Sequence, residues 1–226
     1  SWALPAAGTI DAAGNPHFAW AGYQLGRQNV NLYISGSEDE GETWTSTLVD
    51  VSGAAPACTA YRCGWSYLGA QIAMASDSAG TLYALWTSSR TDRAPQKLFF
   101  ASSTTFGATW SAKLDLSGSL ATVEHAFPGI VASAAGDVRI AWMDTRTSPR
   151  WNTFYRSSTN GGATWSAETR LSGGAAGYRY IHADGFGFPF GDYFGMAIDN
   201  RGETHVVWGE GLNFNSPGSI WHTSGR

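Results

Sequence analysis

One pattern recurs four times along the 226-residue chain: a Gly-containing turn, then a short apolar strand that ends in tryptophan. The copies run from Asp11 to Trp20, Asp77 to Trp86, Ala134 to Trp142 and Asp199 to Trp208, so the tryptophans lie 66, 56 and 66 residues apart. A second marker keeps step with the first, because Trp44, Trp110 and Trp165 follow their partners by 24, 24 and 23 residues. Two markers in register are the mark of an internal repeat, and a period of this size limits the chain to repeat architectures.

Each unit reads as four strands separated by polar or Gly-rich turns. In the third unit they are Gly129–Ser133, Val138–Trp142, Thr153–Ser157 and Glu168–Leu171. Four-stranded units of this length predict an all-β fold, a β-propeller of antiparallel blades at about residues 5–52, 69–118, 128–172 and 192–226 in one domain. The 28 Gly, 11 Trp, 11 Phe and 9 Tyr suit many short, tightly packed strands. Small apolar first strands such as Gln71–Ala75 and Phe194–Ile198 suit a crowded central channel, and large aromatics on later strands suit the gap between blades. The fourth unit stops after its third strand, Ser219–Thr223, which leaves an edge through which chains could self-associate. Residues Ser1–Leu4 are expected to supply the missing outer strand and close a ring of four. The alternative is a larger ring, completed by further blades or by a second copy.

The turn before the second tryptophan carries a motif of its own. Ser37, Asp39, Gly41 and Trp44 fit the pattern Ser-x-Asp-x-Gly-x-Thr-Trp, repeated as Ser103, Thr105, Gly107 and Trp110 and as Ser158, Asn160, Gly162 and Trp165. Ser and Asp side chains bond turn backbone, Gly supplies a left-handed conformation, and Trp packs beneath. This resembles the Asp-box, or BNR, repeat of bacterial and animal sialidases and of many other secreted β-propellers. The resemblance implies that the boxes are structural, that the protein is secreted or displayed on the cell surface, and that it recognises glycans. It further implies an exo-glycosidase of sialidase type or a lectin-like or assembly module on the same scaffold. No Arg-Ile-Pro motif occurs, so no catalytic residue is carried over.

A net charge of −4 offers no basic stripe for a nucleic-acid backbone. No apolar run approaches the roughly 20 residues that a membrane-spanning helix needs. The N-terminus shows no charged segment followed by an apolar one, so any signal peptide is expected to be already removed or never to have existed. Cys58 and Cys63, four residues apart between themselves, predict a local disulfide, with two free thiols as the alternative.

Ligands of propellers gather where interblade loops and the loops between second and third strands meet over the channel. The long interblade loops run from about Gly53 to Gly69, Ser117 to Pro128 and Ser172 to Asp192. Arg62, Arg146 and Arg179 are candidates to grip a carboxylate through paired hydrogen bonds. Glu124, Asp184 and Asp192 are candidate acids or bases, and Tyr193 a candidate nucleophile. Tyr67, Tyr178 and His182 add polar aromatic surface of the kind that binds sugars. His125, His182 and Asp184 also permit a metal, without diagnostic spacing. No cofactor is expected, although a structural calcium ion is compatible with the composition.

Overall fold

A computed structural model of the chain describes residues 2–23, 29–55, 69–118, 121–146, 151–172, 194–210 and 219–225. All regular structure in them is β, arranged as four separate antiparallel sheets in sequence order. The first holds β1 (Trp2–Ile10), β2 (Pro16–Tyr23), β3 (Val30–Gly36) and β4 (Thr45–Ser52). The second holds β5 (Ile72–Ser76), β6 (Leu82–Ser88), β7 (Lys97–Ser103) and β8 (Leu114–Asp115). The third holds β9 (His125–Ala132), β10 (Val138–Asp144), β11 (Asn152–Ser158) and β12 (Thr169–Arg170). The fourth holds β13 (Phe194–Ile198), β14 (Thr204–Glu210) and β15 (Ser219–Gly225).

Neighbouring sheets meet first along their inner strands, β1 on β5, β5 on β9 and β9 on β13. Alternation then decides what fills the space between blades, because successive side chains on a strand point to opposite neighbours. On β6, Ala84 and Trp86 join the core shared with the first sheet, whereas Tyr83 and Leu85 join the core shared with the third. On β14, Val206 and Trp208 pack toward the third sheet. In the second, third and fourth blades the repeated tryptophan therefore faces the preceding blade, and Trp20 lies on the same face of the first. On that face the tryptophan pairs with an aromatic of the third strand: Trp20 with Tyr33 at 4.3 Å, Trp86 with Phe99 at 6.0 Å, and Trp142 with Phe154 at 6.1 Å between ring centroids.

Three expectations are corrected. The N-terminal residues do not form an outer strand for the last sheet: β1 pairs with β2 from Trp2↔Tyr23 to Ile10↔Pro16, as the inner strand of the first. Pairing there gives β2 a neighbour along its whole length, whereas four residues on β15 would have gained much less. Nor do the described residues close a ring of four. Three apolar cores join consecutive sheets, and none joins the fourth sheet to the first among the described residues. The first strand of the third sheet also begins earlier than expected, at His125, because the chain passes Pro128 through an irregularity opposite Ala141 to Met143 instead of starting beyond it.

The turns between third and fourth strands share one bonding scheme, except that the Trp165 Nε1–H of the third finds no acceptor among the described residues. Ser37 Oγ accepts the Gly41 N–H at 2.8 Å, Asp39 Oδ1 accepts the Thr43 N–H at 2.8 Å, and Trp44 Nε1 donates to the Gly41 carbonyl at 3.0 Å. In the second turn Thr105 Oγ1 accepts the Thr109 N–H, and in the third Asn160 Oδ1 accepts the Thr164 N–H, each at 2.9 Å. The backbone is left-handed at two successive positions, Glu40 and Gly41, Phe106 and Gly107, Gly161 and Gly162. Gly162 is doubly constrained, since a Cβ there would lie 2.2 Å from the Phe100 ring.

Asp39 is solvated, and the bonds from Thr43 hold its carboxyl down at about 2. Its contribution to stability is therefore present above the ordinary carboxylate range and is lost as the pH falls through about 2. Asp39→Ala is expected to lower the melting temperature by a few degrees near neutral pH, with the gap closing in acid and carbohydrate binding unchanged. Thermal scans across pH beside a binding assay check this.

Candidate functional site

The two rims of the arc differ in what their turns carry. One bears the tight turns just described, together with those joining first to second strands. The other bears the interblade connections and the loops between second and third strands. On that second rim the described residues form a continuous hydrogen-bonded chain across three blades. Gly53 N donates to the Ser89 carbonyl at 2.7 Å, and Ala54 N donates to Asp92 Oδ1 at 2.9 Å. Ser52 Oγ donates to Gln96 Oε1 at 3.3 Å, and the Gln96 N–H in turn donates to Glu124 Oε1 at 3.1 Å.

Glu124 sits at the junction of the second and third blades, one residue before β9. Its own N–H donates to Thr145 Oγ1 at 3.0 Å and its carbonyl accepts the Thr145 N–H at 3.1 Å, which fixes it beside the end of β10. Burial pushes its carboxyl up to about 8, against the Gln96 N–H and the charge of Lys97, which both pull it down. A carboxyl in this state is protonated at neutral pH and can act as a proton donor.

The groups around Glu124 break local rules. His125 is fully buried, and its ring Nδ1 donates to the Gln96 carbonyl at 3.0 Å. Its Nε2 lies 3.9 Å from Asp144 Oδ2 and has no hydrogen-bond partner among the described residues. Burial lowers the His125 pKa, although the Asp144 carboxylate pulls it up. The buried Gln96 amide nitrogen also lacks a partner among the described residues. Phe127 holds a φ of 54°, a conformation that bulky residues avoid, while its N–H donates to Gln71 Oε1 of the second blade at 2.6 Å. Orphaned buried polar groups and backbone strain beside a shifted carboxyl are features that concentrate at functional sites.

Arg146 does not stand free to grip a ligand. Its guanidinium Nε donates to Asp144 Oδ1 at 2.9 Å, it also bonds Glu168, and it lies 4.1 Å from the Phe154 ring centroid. Asp144 is completely buried and additionally accepts the Trp142 Nε1–H at 2.8 Å. This is a structural clasp between the second and outer strands. Asp184, Asp192, Tyr193, Arg62, Tyr67, Tyr178, Arg179 and His182 lie outside the described residues, as do Cys58 and Cys63. Gln96, Thr145 and Phe127 were not singled out from sequence; only the unusual His-Ala-Phe-Pro run after Glu124 could have signalled the strained strand entry.

The described residues include one group with metal-ligand chemistry, Asp199, Glu203 and His205, on the opposite rim. The repeat accounts for it. Asp199 Oδ1 accepts the N–H groups of Arg201 and Glu203, as Asp11 Oδ1 accepts those of Ala13 and Asn15. His205 stands to Asp199 as the buried His17 stands to Asp11, at 3.5 and 3.0 Å. The geometry is a turn lock used in several blades.

No family model and no curated protein matches the chain. Solved structures are similar in fold. The GH93 α-L-arabinofuranosidase of Fusarium graminearum, in complex with arabinobiose, superposes over 98% of this chain and 62% of its own, with a TM-score of 0.58 and 16% identity. A Dyadobacter fermentans protein of unknown function covers 97% of this chain and 64% of its own, at a TM-score of 0.57 and 15% identity. An α-L-arabinanase of Penicillium chrysogenum with arabinobiose covers 93% and 71%, at 0.52 and 12%. The chain spans about three fifths of the length of the first of these. At such identities the likeness speaks for fold alone, and the fold is the β-propeller of the arabinofuranosidase and the arabinanase.

Proposed function

We propose that the protein is a glycoside hydrolase that cleaves a glycan at the rim around Glu124, with this residue as the proton donor. The observation that carries the reading is the raised carboxyl of Glu124, set on the loop-bearing rim of a propeller among orphaned polar groups and a strained Phe127. Below about pH 8 the protonated carboxyl would give its proton to the glycosidic oxygen as the bond to the sugar breaks. Asp184, Asp192 or Tyr193 would supply the partner that attacks, or activates water to attack, the anomeric carbon. Tyr67, Tyr178, Arg179 and His182 are proposed to line the sugar site.

A neutral sugar fits better than a sialoside. Arg146, one of three arginines expected to hold a sialoside carboxylate, is already paired with Asp144 and Glu168. The solved structures of similar fold include an arabinofuranosidase and an arabinanase. The reading requires no cofactor, and it places the protein outside the cytoplasm with Cys58 and Cys63 joined. A hydrolysis screen on aryl arabinofuranosides, neutral pyranosides and sialosides, run beside a glycan-binding assay, tests it. Turnover of a neutral glycoside is the expected result, turnover of sialosides alone would reverse the substrate assignment, and binding without turnover would make this a lectin-like propeller.

A further inference from the structure

The junction between the first and second blades is open where the next junction is filled. On the rim of the tight turns, opposite Glu124, it encloses a cavity of about 330 Å³, within the range of small-molecule sites. Two register positions account for it. His17 and Ile34 stand where Tyr83 and Phe100 stand one blade on. There Phe100 meets the Trp165 ring at 5.0 Å, and the Gly161–Gly162 turn closes on both aromatics. At the first junction a Cβ on the corresponding Gly107 would meet Leu82 and Trp110 of its own blade and no described residue of the first within 4 Å. Thr47 Oγ1 spans the gap by donating to the Gly107 carbonyl at 3.0 Å. Both walls belong to consecutive blades, so the cavity does not depend on what adjoins either end of the arc.

The lining sets this junction apart chemically. Glu38, Asp39, Glu40 and Glu42 crowd the first turn, whereas residues 104–108 and 159–163 of the other two carry no charge. Glu38 and Asp39 line the cavity. Ser37 and Thr43 engage the Asp39 oxygens, while Glu38 has no hydrogen-bond or ion-pair partner among the described residues. The facing wall carries Phe106, 48% exposed and at a φ of 54°, at the turn position that is Gly161 in the third blade. A half-exposed aromatic in left-handed backbone costs stability through both strain and apolar surface left in water. His17 completes the lining, with Nε2 donating to Asp11 Oδ2 and a buried Nδ1 that has no partner among the described residues. Carboxylate, imidazole and aromatic face all attract one kind of group, positively charged and rich in N–H donors.

We propose that this cavity binds a small primary ammonium ion, the Glu38 carboxylate accepting its N–H groups and the Phe106 ring facing its charge. A quaternary ammonium has no N–H to donate and an alcohol has no charge, so neither satisfies both walls. Asp39 adds its charge while staying committed to its own turn.

The test is an amide NMR titration of the isotope-labelled full chain with n-butylammonium chloride, beside n-butanol, tetramethylammonium chloride and calcium chloride at constant ionic strength. Saturable shifts at Glu38, Phe106 and Gly107 are expected, with butylammonium at least roughly tenfold tighter than the other three. Glu38→Gln and Phe106→Gly are each expected to weaken binding roughly three- to fivefold, and the two together at least roughly tenfold. Phe106→Gly also separates binding from folding, because Gly adopts a φ of 54° without strain. Its melting temperature is expected to equal or exceed that of the wild type. Glu40→Gln removes an equal charge outside the cavity and is expected to leave the affinity unchanged. Shifts that do not saturate, or that butanol, tetramethylammonium or calcium reproduces at equal concentration, would overturn the proposal. So would an equal loss in Glu40→Gln, which would mark a diffuse field instead of a site. A Phe106→Gly variant that melts well below the wild type with its affinity intact would overturn it in favour of a packing role for the ring.

Discussion

Replacing Glu124 with Gln is expected to lower kcat by roughly 10²–10⁴-fold while KM changes little, the signature of a lost proton donor. Gln is close in shape and keeps an oxygen to accept the Gln96 N–H, so the rim should stay assembled. The same substitution has a second readout that needs no substrate. In the unfolded chain the carboxyl ionises near its ordinary value of 4.5, and in the folded protein only near 8. Between those values the native state holds a proton that the unfolded state has released, so stability falls as the pH rises through this window and levels off above it. The loss amounts to a few kcal/mol, at roughly 1.4 kcal/mol for each unit of pKa difference. Glu124→Gln removes the titration. Its melting temperature is expected to match the wild type near about pH 4 and to exceed it increasingly up to about pH 8. Parallel melting curves at all pH values would mean that the carboxyl ionises normally, and the assignment of Glu124 as proton donor would then fall.

The architecture was legible because two periodic markers reported it independently. The tryptophans marked each second strand, two or three residues before its end, and the turn motif marked where the third strand gives way to the fourth in the first three blades. Both signals are local, arising from residues within one hairpin. What the sequence could not show were the features set by contacts between distant residues. The role of the first ten residues depended on whether β2 or β15 offered the longer partner, which no local pattern records. The entry to β9 was hidden because Pro128 reads as a boundary, whereas the strand runs through it by straining Phe127 and borrowing the Gln71 side chain from the preceding blade. Glu124 was readable as a loop carboxylate, but its burial depends on Gln96 and Thr145, which lie 28 residues before it and 21 after it. Arg146 looked equally suited to ligand binding until Glu168, 22 residues on, proved to share its guanidinium.

Asp77→Ala is expected to destabilise the protein by about 3–5 kcal/mol, because the carboxylate ties two blades together where water does not reach. The residue is 3% exposed. Its Oδ1 accepts the N–H groups of Ala79 at 2.9 Å and Thr81 at 3.0 Å, closing its own turn. Its Oδ2 accepts the Tyr83 hydroxyl at 2.7 Å and, across the junction, the Gly136 N–H of the third blade at 2.8 Å. Alanine would leave four donors without an acceptor, one of them on a tyrosine that is itself buried. At about 2–4 °C per kcal/mol for a chain of this size, the melting temperature should drop by roughly ten degrees. Burial works against the charged form, but the bonds from Gly136, Tyr83, Thr81 and Ala79 outweigh it and hold the Asp77 carboxyl below its ordinary value. The stabilisation is therefore present at neutral pH and is lost as the pH falls through that lowered value, so wild type and variant should converge in acid. Asp39→Ala removes the same functional group from a solvated turn within a single blade, and the comparison isolates what burial between blades adds. Equal losses for the two substitutions would show that the Asp77 bonds stabilise only their own turn, and that the blades are held together by their apolar cores alone.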